Sequence, residues 1–296
     1  MPPRIFRTLA AAAILFAVVL SPIVLAKDTP KERTQTRTNA AMPFVPSEQL
    51  TYEGEFTKLL LRGVKIAELR FKAYRPAAPA SEIQAKGDGE PAQQPPLLLT
   101  TDVESKGFFS KLFGVSFRFH AESQVEPEAF YPLRTSTLDT QGRRVRKGES
   151  VFNQEARRVE YTESDPNNSQ QQPRVIVAAL EGPTQDIVSA IYFLRTQPLT
   201  PGQSFTIAVS DSGRVFQVPA TVFAEKKQMK SVLGKVSVVR VDVELFGPGH
   251  ADERGKGKMS IWVTSDARHI PIKAHLSHDV GQLDITLKAI QRDENQ

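Results

Sequence analysis

Four of the five histidines lie late in the chain, at His250, His269, His275 and His278, near Asp266 and Asp279. Imidazole together with carboxylate is a donor set that suits zinc or iron. His275 and His278, however, are three residues apart in a segment that reads as a strand, so they point to opposite faces of a sheet. They are expected to be surface or turn histidines, and no metal is expected. Nucleophilic catalysis needs a serine or cysteine beside a base that a third group orients. The chain has no cysteine and no Gly-x-Ser-x-Gly elbow. Ser189 falls between Ile187 and Ile191 on a helical stripe, which favours packing. A hydrolase without a recognisable motif is the enzymatic alternative, with no catalytic residue and no cofactor assigned.

Asp186 and Arg195 bracket the same predicted helix, acid at the start and base at the end, as the helix dipole favours. Asp266 and Arg268 read as turn residues forming an ion pair. The apolar knot Phe108, Phe109, Leu112 and Phe113 lies between Gly107 and Gly114, with Lys106 and Lys111 beside it. It is either a plug over one end of a sheet or a lip that meets lipid, with the lysines facing headgroups. Phe108, Phe109 and Phe113, with the single tryptophan Trp262, are the expected ligand-binding residues. Two basic groups, Arg143-Arg144-Val-Arg146-Lys147 and Lys226-Lys227-x-x-Lys230, could attract anionic lipid. Both also fall at predicted hairpins, where solvated charge is the default.

Strands must position these residues. From Val115 to Val125, Val115, Phe117, Phe119, Ala121 and Val125 alternate with Ser116, Arg118, His120, Glu122 and Gln124. That period of two marks an antiparallel strand with one wet face. Gln141-Gly142 joins the runs 131–139 and 144–152 as a hairpin. Val239, Val241 and Val243 alternate with Arg240 and Asp242. The one helix is expected at about 184–196, with Thr184 as its cap after Pro183 and Ile187, Ala190, Ile191 and Leu194 as its stripe. The fold is therefore expected to be mainly β. It would be a curled antiparallel sheet, or a partly open β-barrel or β-roll, of about a dozen strands with one helix. Residues 49–290 form this domain, either whole or as halves at about 49–181 and 184–290, with 291–296 as a tail.

The N-terminus points to export. Arg4 and Arg7 precede the apolar run Leu9–Leu20, Ser21-Pro22 breaks it, and Val24-Leu25-Ala26 ends it, as in a signal peptide cleaved after Ala26. An uncleaved inner-membrane anchor is the alternative. Residues 27–48 are polar and read as a disordered tether. The signal would remove two arginines and take the formal charge from +5 to +3, which gives no case for nucleic acid. Without cysteine, an exported chain must hold its fold by burial alone.

The helix run Asp186-Ile-Val-Ser189-Ala-Ile-Tyr192-Phe-Leu-Arg195 resembles the signature of an exported bacterial family, catalogued as domain of unknown function 3108. Similar features are Pro201-Gly202, Leu233-Gly234-Lys235 and Ile261-Trp262-Val263-Thr264 through Asp266, Arg268 and Pro271. The closing run Gly281-x-Leu283-x-Ile-x-Leu287 is similar too. The resemblance implies a curled β-sheet in the periplasm or at the outer membrane and carries no catalytic residue. The expected function is non-enzymatic binding of a lipid or other amphiphile, or of an envelope protein, with membrane-surface contact open. A structural or assembly factor that binds by a sheet edge is the alternative.

Overall fold

The computed structural model describes residues 42–59, 61–76, 95–107, 116–168, 170–225, 228–244, 258–278 and 281–292. The Phe108–Phe113 knot lies outside them.

The N-terminal half is a meander: β1 (Glu48–Lys58), β2 (Leu61–Tyr74), β3 (Leu97–Ser105), β4 (Phe117–Val125), β5 (Pro132–Gln141), β6 (Arg144–Asn153), β7 (Arg158–Ser164) and β8 (Arg174–Ala179). Then come β9 (Thr184–Asp186) and the helix α1 (Ser189–Thr196). The remainder is β10 (Ser204–Asp211), β11 (Arg214–Ala224), a small hairpin of β12 (Met229–Ser231) and β13 (Gly234–Val236), β14 (Val238–Val243), β15 (Lys258–Thr264), β16 (Pro271–His278) and β17 (Gly281–Arg292). Fifteen strands make one sheet in the order β8-β7-β6-β5-β4-β3-β2-β1-β17-β16-β15-β14-β11-β10-β9. The first and last strands pair antiparallel at its centre, Glu48 opposite Arg292, so the sheet runs unbroken across the two expected halves.

The expected alternation holds. On β4, Phe117, Phe119, Ala121 and Val125 are buried while Arg118 is exposed. On β14, Val239, Val241 and Val243 face the core. These inward rows from both halves join in one hydrophobic core.

Three expectations change. At the end of the expected tether, Phe44 lies in the core and Glu48 is fully buried, with Val45 exposed between them; residues 27–41 lie outside the described residues. The chain makes more strands than a dozen, and β17 absorbs Gln291 and Arg292 from the expected tail. The helix begins at Ser189, not Thr184. Thr184–Asp186 is instead a buried strand paired parallel to Ala208–Ser210 of β10, and α1 serves as the crossover that parallel neighbours need.

The two ends of the sheet overlap. Asp186 on β9 bonds to Ser123 on β4 and Thr135 on β5, so that end lies inside the curl. Val215 at the start of β11 packs against the cluster of Phe152, Val159 and Leu180 at the other end. Gly213, in the β10–β11 turn, has a positive φ of +76°, and a Cβ there would stand 2.7 Å from Ile176 on β8. Only glycine suits both the backbone and the approach.

Candidate functional site

Where the two ends overlap they enclose a cavity of about 50 Å³. Its floor comes from inward positions of β5 to β8: Thr135, Thr137 and Asp139, then Arg146, Gly148 and Ser150, then Tyr161 and Glu163, then Arg174 and Ile176. Ser210, Asp211, Ser212 and Arg214 of the β10–β11 turn cover it, with Asp186 and Ile187 at one end. Gly148 shapes the floor, since a Cβ there would fall 2.5 Å from Thr137 Oγ1 and 2.9 Å from the Tyr161 ring. The absent side chain lets Tyr161 lie over β6.

The lining is mostly polar and only partly satisfied. Asp139 is 7% exposed; its Oδ2 accepts from Gln141 at 2.9 Å, and its Oδ1 has no partner among the described residues. Ser210 is 4% exposed with its Oγ likewise unpartnered. Glu163 accepts from Tyr161 at 3.2 Å and from Arg146 at 3.4 Å. Asp211 accepts from Ser212 at 3.0 Å. Burial pushes the Asp139 carboxyl up, against the pull of Arg144 and the Gln141 hydrogen bond. Burial likewise pushes Asp211 up to about 6, with Ser212 and Arg214 opposing. A space of this size holds a few waters or the polar head of a ligand, but not an acyl chain.

Asp211 makes the site sensitive to pH. Its folded value exceeds its ordinary one, so between 3.8 and about 6 the folded protein keeps a proton that the unfolded chain has lost. Stability from this group is therefore present at low pH and falls as pH rises through that window. Asn mimics the protonated acid. Asp211→Asn should match the parent near the acid end of the window and exceed it in stability above it. Urea unfolding of both proteins across that range checks this. The difference is the proper readout, because Glu68, held low by hydrogen bonds from Lys106 and Arg70, gives an opposite slope.

A second polar cluster is structural. Asp186 Oδ1 accepts from the Val188 and Ser189 backbone N–H groups at 2.8 and 2.7 Å, and the Asp186 N–H donates to Ser189 Oγ at 2.9 Å. That reciprocal pair caps α1 and explains why the helix starts late. Arg195 does more than answer the helix dipole. It is 1% exposed and bonds Glu48 at 2.6 Å, with further bonds to the Arg268 and Pro43 carbonyls at 3.2 and 3.3 Å. Its guanidinium lies over the Phe44 and Tyr192 rings. Phe44, Phe130, Tyr192 and Phe193 stack into an aromatic plug at the rim where β1 begins and β17 ends.

Of the expected ligand-binding residues, Phe108, Phe109 and Phe113 lie outside the described residues. Trp262 stands on the face of β15 opposite the fully buried Val263 and does not line the cavity. It sits between Arg240 and Lys273 in register, with the Lys273 ammonium 6.0 Å from the ring centroid. His275 bonds Asp284 at 3.1 Å and His269 meets the Arg195 carbonyl at 2.8 Å. His250 and Asp279 lie outside the described residues. Asp266 and Arg268 form the expected ion pair, at 2.6 Å.

No curated protein matches the chain. Among solved structures it is similar to a β-barrel-like protein of domain of unknown function DUF1849 from Brucella abortus, with a TM-score of 0.55 and 7% identity. That match covers 85% of this chain and 100% of the other, and at such low identity it speaks for the fold alone. The family described as protein of unknown function, DUF3108, matches residues 80–288, well over half of the sequence, and the chain belongs to that family.

Proposed function

We propose that the chain is a non-enzymatic exported envelope protein that binds another envelope protein along the free edge of its rolled sheet. The carrying observation is β8. Among the described residues it pairs with β7 on one side only, and it turns Val175 and Val177 outward, each 56% exposed. An edge strand offers unpaired N–H and C=O groups, and natural edges are usually blunted with charge or proline. From Val175 to Ala179 this one carries neither. Val151, two strands in, is also exposed, with the exposed Glu160 standing between it and Val177 in register. The matching occupant is an extended segment with apolar residues at alternate positions, added as a further strand.

A photo-crosslinking amino acid placed at Val177 in living cells tests this. A discrete adduct is expected there and not at Val232, which is similarly exposed (51%) on the β12–β13 hairpin. Val175→Lys should abolish the adduct while leaving the fold intact. Equal adducts at both positions, or none at Val177, would overturn the proposal.

The amphiphile reading keeps one specific support, the partly satisfied cavity beneath β8. It has room for a polar head, and any apolar remainder would lie outside it.

A further inference from the structure

Three features of the cavity point to one class of ligand. First, its lining carries two buried polar atoms with no partner among the described residues, Asp139 Oδ1 on the floor and Ser210 Oγ on the cover. Both side chains are more than nine-tenths buried and line the same space. A buried carboxylate oxygen left alone is unfavourable, and it calls for a donor from water or from a ligand. Secondly, the opposite charge stands farther out. Arg174 is exposed at the start of β8 and Arg214 is half-buried at the start of β11. Both line the cavity, and neither takes part in an ion pair among the described residues. Thirdly, the remaining charges are already used: Glu163 by Arg146 and Tyr161, Asp211 by Ser212, and Asp186 by its helix cap and two hydroxyls.

An acceptor is therefore unmet inside, with the Arg174 guanidinium at the mouth and Arg214 beside Asp211. A simple anion would satisfy the mouth and leave Asp139 unmet, and a simple cation would do the reverse. We infer that this cavity receives a compact zwitterionic head, with a primary ammonium directed in toward Asp139 and Ser210 and a carboxylate or phosphate held outside by Arg174 and Arg214. Guanidinium suits such oxyanions because it can offer two parallel donors. The ammonium must carry N–H groups, so a trimethylated head would fit poorly. A free amino acid and the ethanolamine phosphate head of a lipid share this chemistry. The inference sharpens the amphiphile reading and does not depend on edge docking at β8.

The test is thermal denaturation and calorimetric titration of the purified protein near neutral pH. The probes are glycine, O-phosphoethanolamine, acetate, inorganic phosphate and methylammonium. Glycine or O-phosphoethanolamine should raise the melting temperature, as a ligand of the folded state must. The three single-charge probes should leave it unchanged. Asp139→Asn and Arg174→Gln should each weaken binding by about tenfold, the order expected for one charge-assisted hydrogen bond. Arg174 is exposed, so its variant keeps the test meaningful if Asp139→Asn folds poorly. Short-chain phosphatidylethanolamine micelles that bind more tightly than the free head, with phosphatidylcholine micelles inert, would identify a lipid source. A response to glycine without a micelle response would identify a small solute. No shift with either zwitterion would overturn the inference and leave the cavity to water, and so would an equal shift with phosphate alone. Neither result would bear on crosslinking at Val177.

Discussion

Replacing Arg195 with Met should lower the melting temperature by roughly 10 °C. The guanidinium and Glu48 are both fully shielded from water and meet at 2.6 Å. Removing one partner of such a pair leaves a buried charge without compensation, at about 3–5 kcal/mol. A domain of this size loses roughly 2–4 °C per kcal/mol. Arg292 touches the other Glu48 oxygen at 3.4 Å and is itself partly exposed, so it softens the loss without replacing the bond. The double variant Glu48→Gln/Arg195→Met should recover most of the stability, since it removes both charges and leaves the aromatic plug in place. Calorimetry of the parent, the two single variants and the double variant gives the coupling directly. A single variant as stable as the parent would mean that Arg195 contributes by its alkyl packing alone.

Asp186→Ala should be of similar severity for a different reason. One carboxylate accepts from four donors: the hydroxyls of Ser123 and Thr135 and the N–H groups of Val188 and Ser189. Alanine strands all four in a buried place. Each orphan costs about 1–3 kcal/mol, with relaxation and water recovering some of the loss, so about 3–5 kcal/mol is expected in total. Asp186→Asn should cost roughly half of that. Its carbonyl oxygen can still cap α1, and the two hydroxyls can turn to accept from its amide. Urea midpoints compared at unchanged slope read this out. Equal losses for Asn and Ala would show that the negative charge, not the hydrogen-bond geometry, is what the site requires.

These two residues also show where the sequence was legible. Strands with one apolar face, such as β4 and β14, could be read from local alternation. The helix residues were recognisable as a motif too. The partner of Arg195 was not, because Glu48 lies 147 residues away and nothing local marks it as buried. The helix starts later than its sequence pattern suggests because β9 is three residues long, too short to show a period. The cavity did leave a trace: β5 carries Thr135, Thr137 and Asp139 on one face and Arg134, Ser136, Leu138 and Thr140 on the other. A strand with polar residues on both faces either lies outside the core or lines a wet space within it. Only the overlap of the sheet's ends decides which, and overlap is a property of the whole chain.

The pairing of β1 with β17 also bears on how the chain folds. Followed from β10 through β17 to β1 and on to β8, the large sheet is an antiparallel succession of strands, with β1 and β17 side by side in its middle and β9 added parallel at one end. Its strand pairings are between near neighbours in sequence except for the central seam, where residue 48 meets residue 292. Contacts far apart in sequence slow folding because a long loop must close first. The seam gathers that slowness into a single closure, which must wait until β17 has been made. Each half can form its local hairpins early, and the complete sheet then awaits one event: the meeting of β1 and β17.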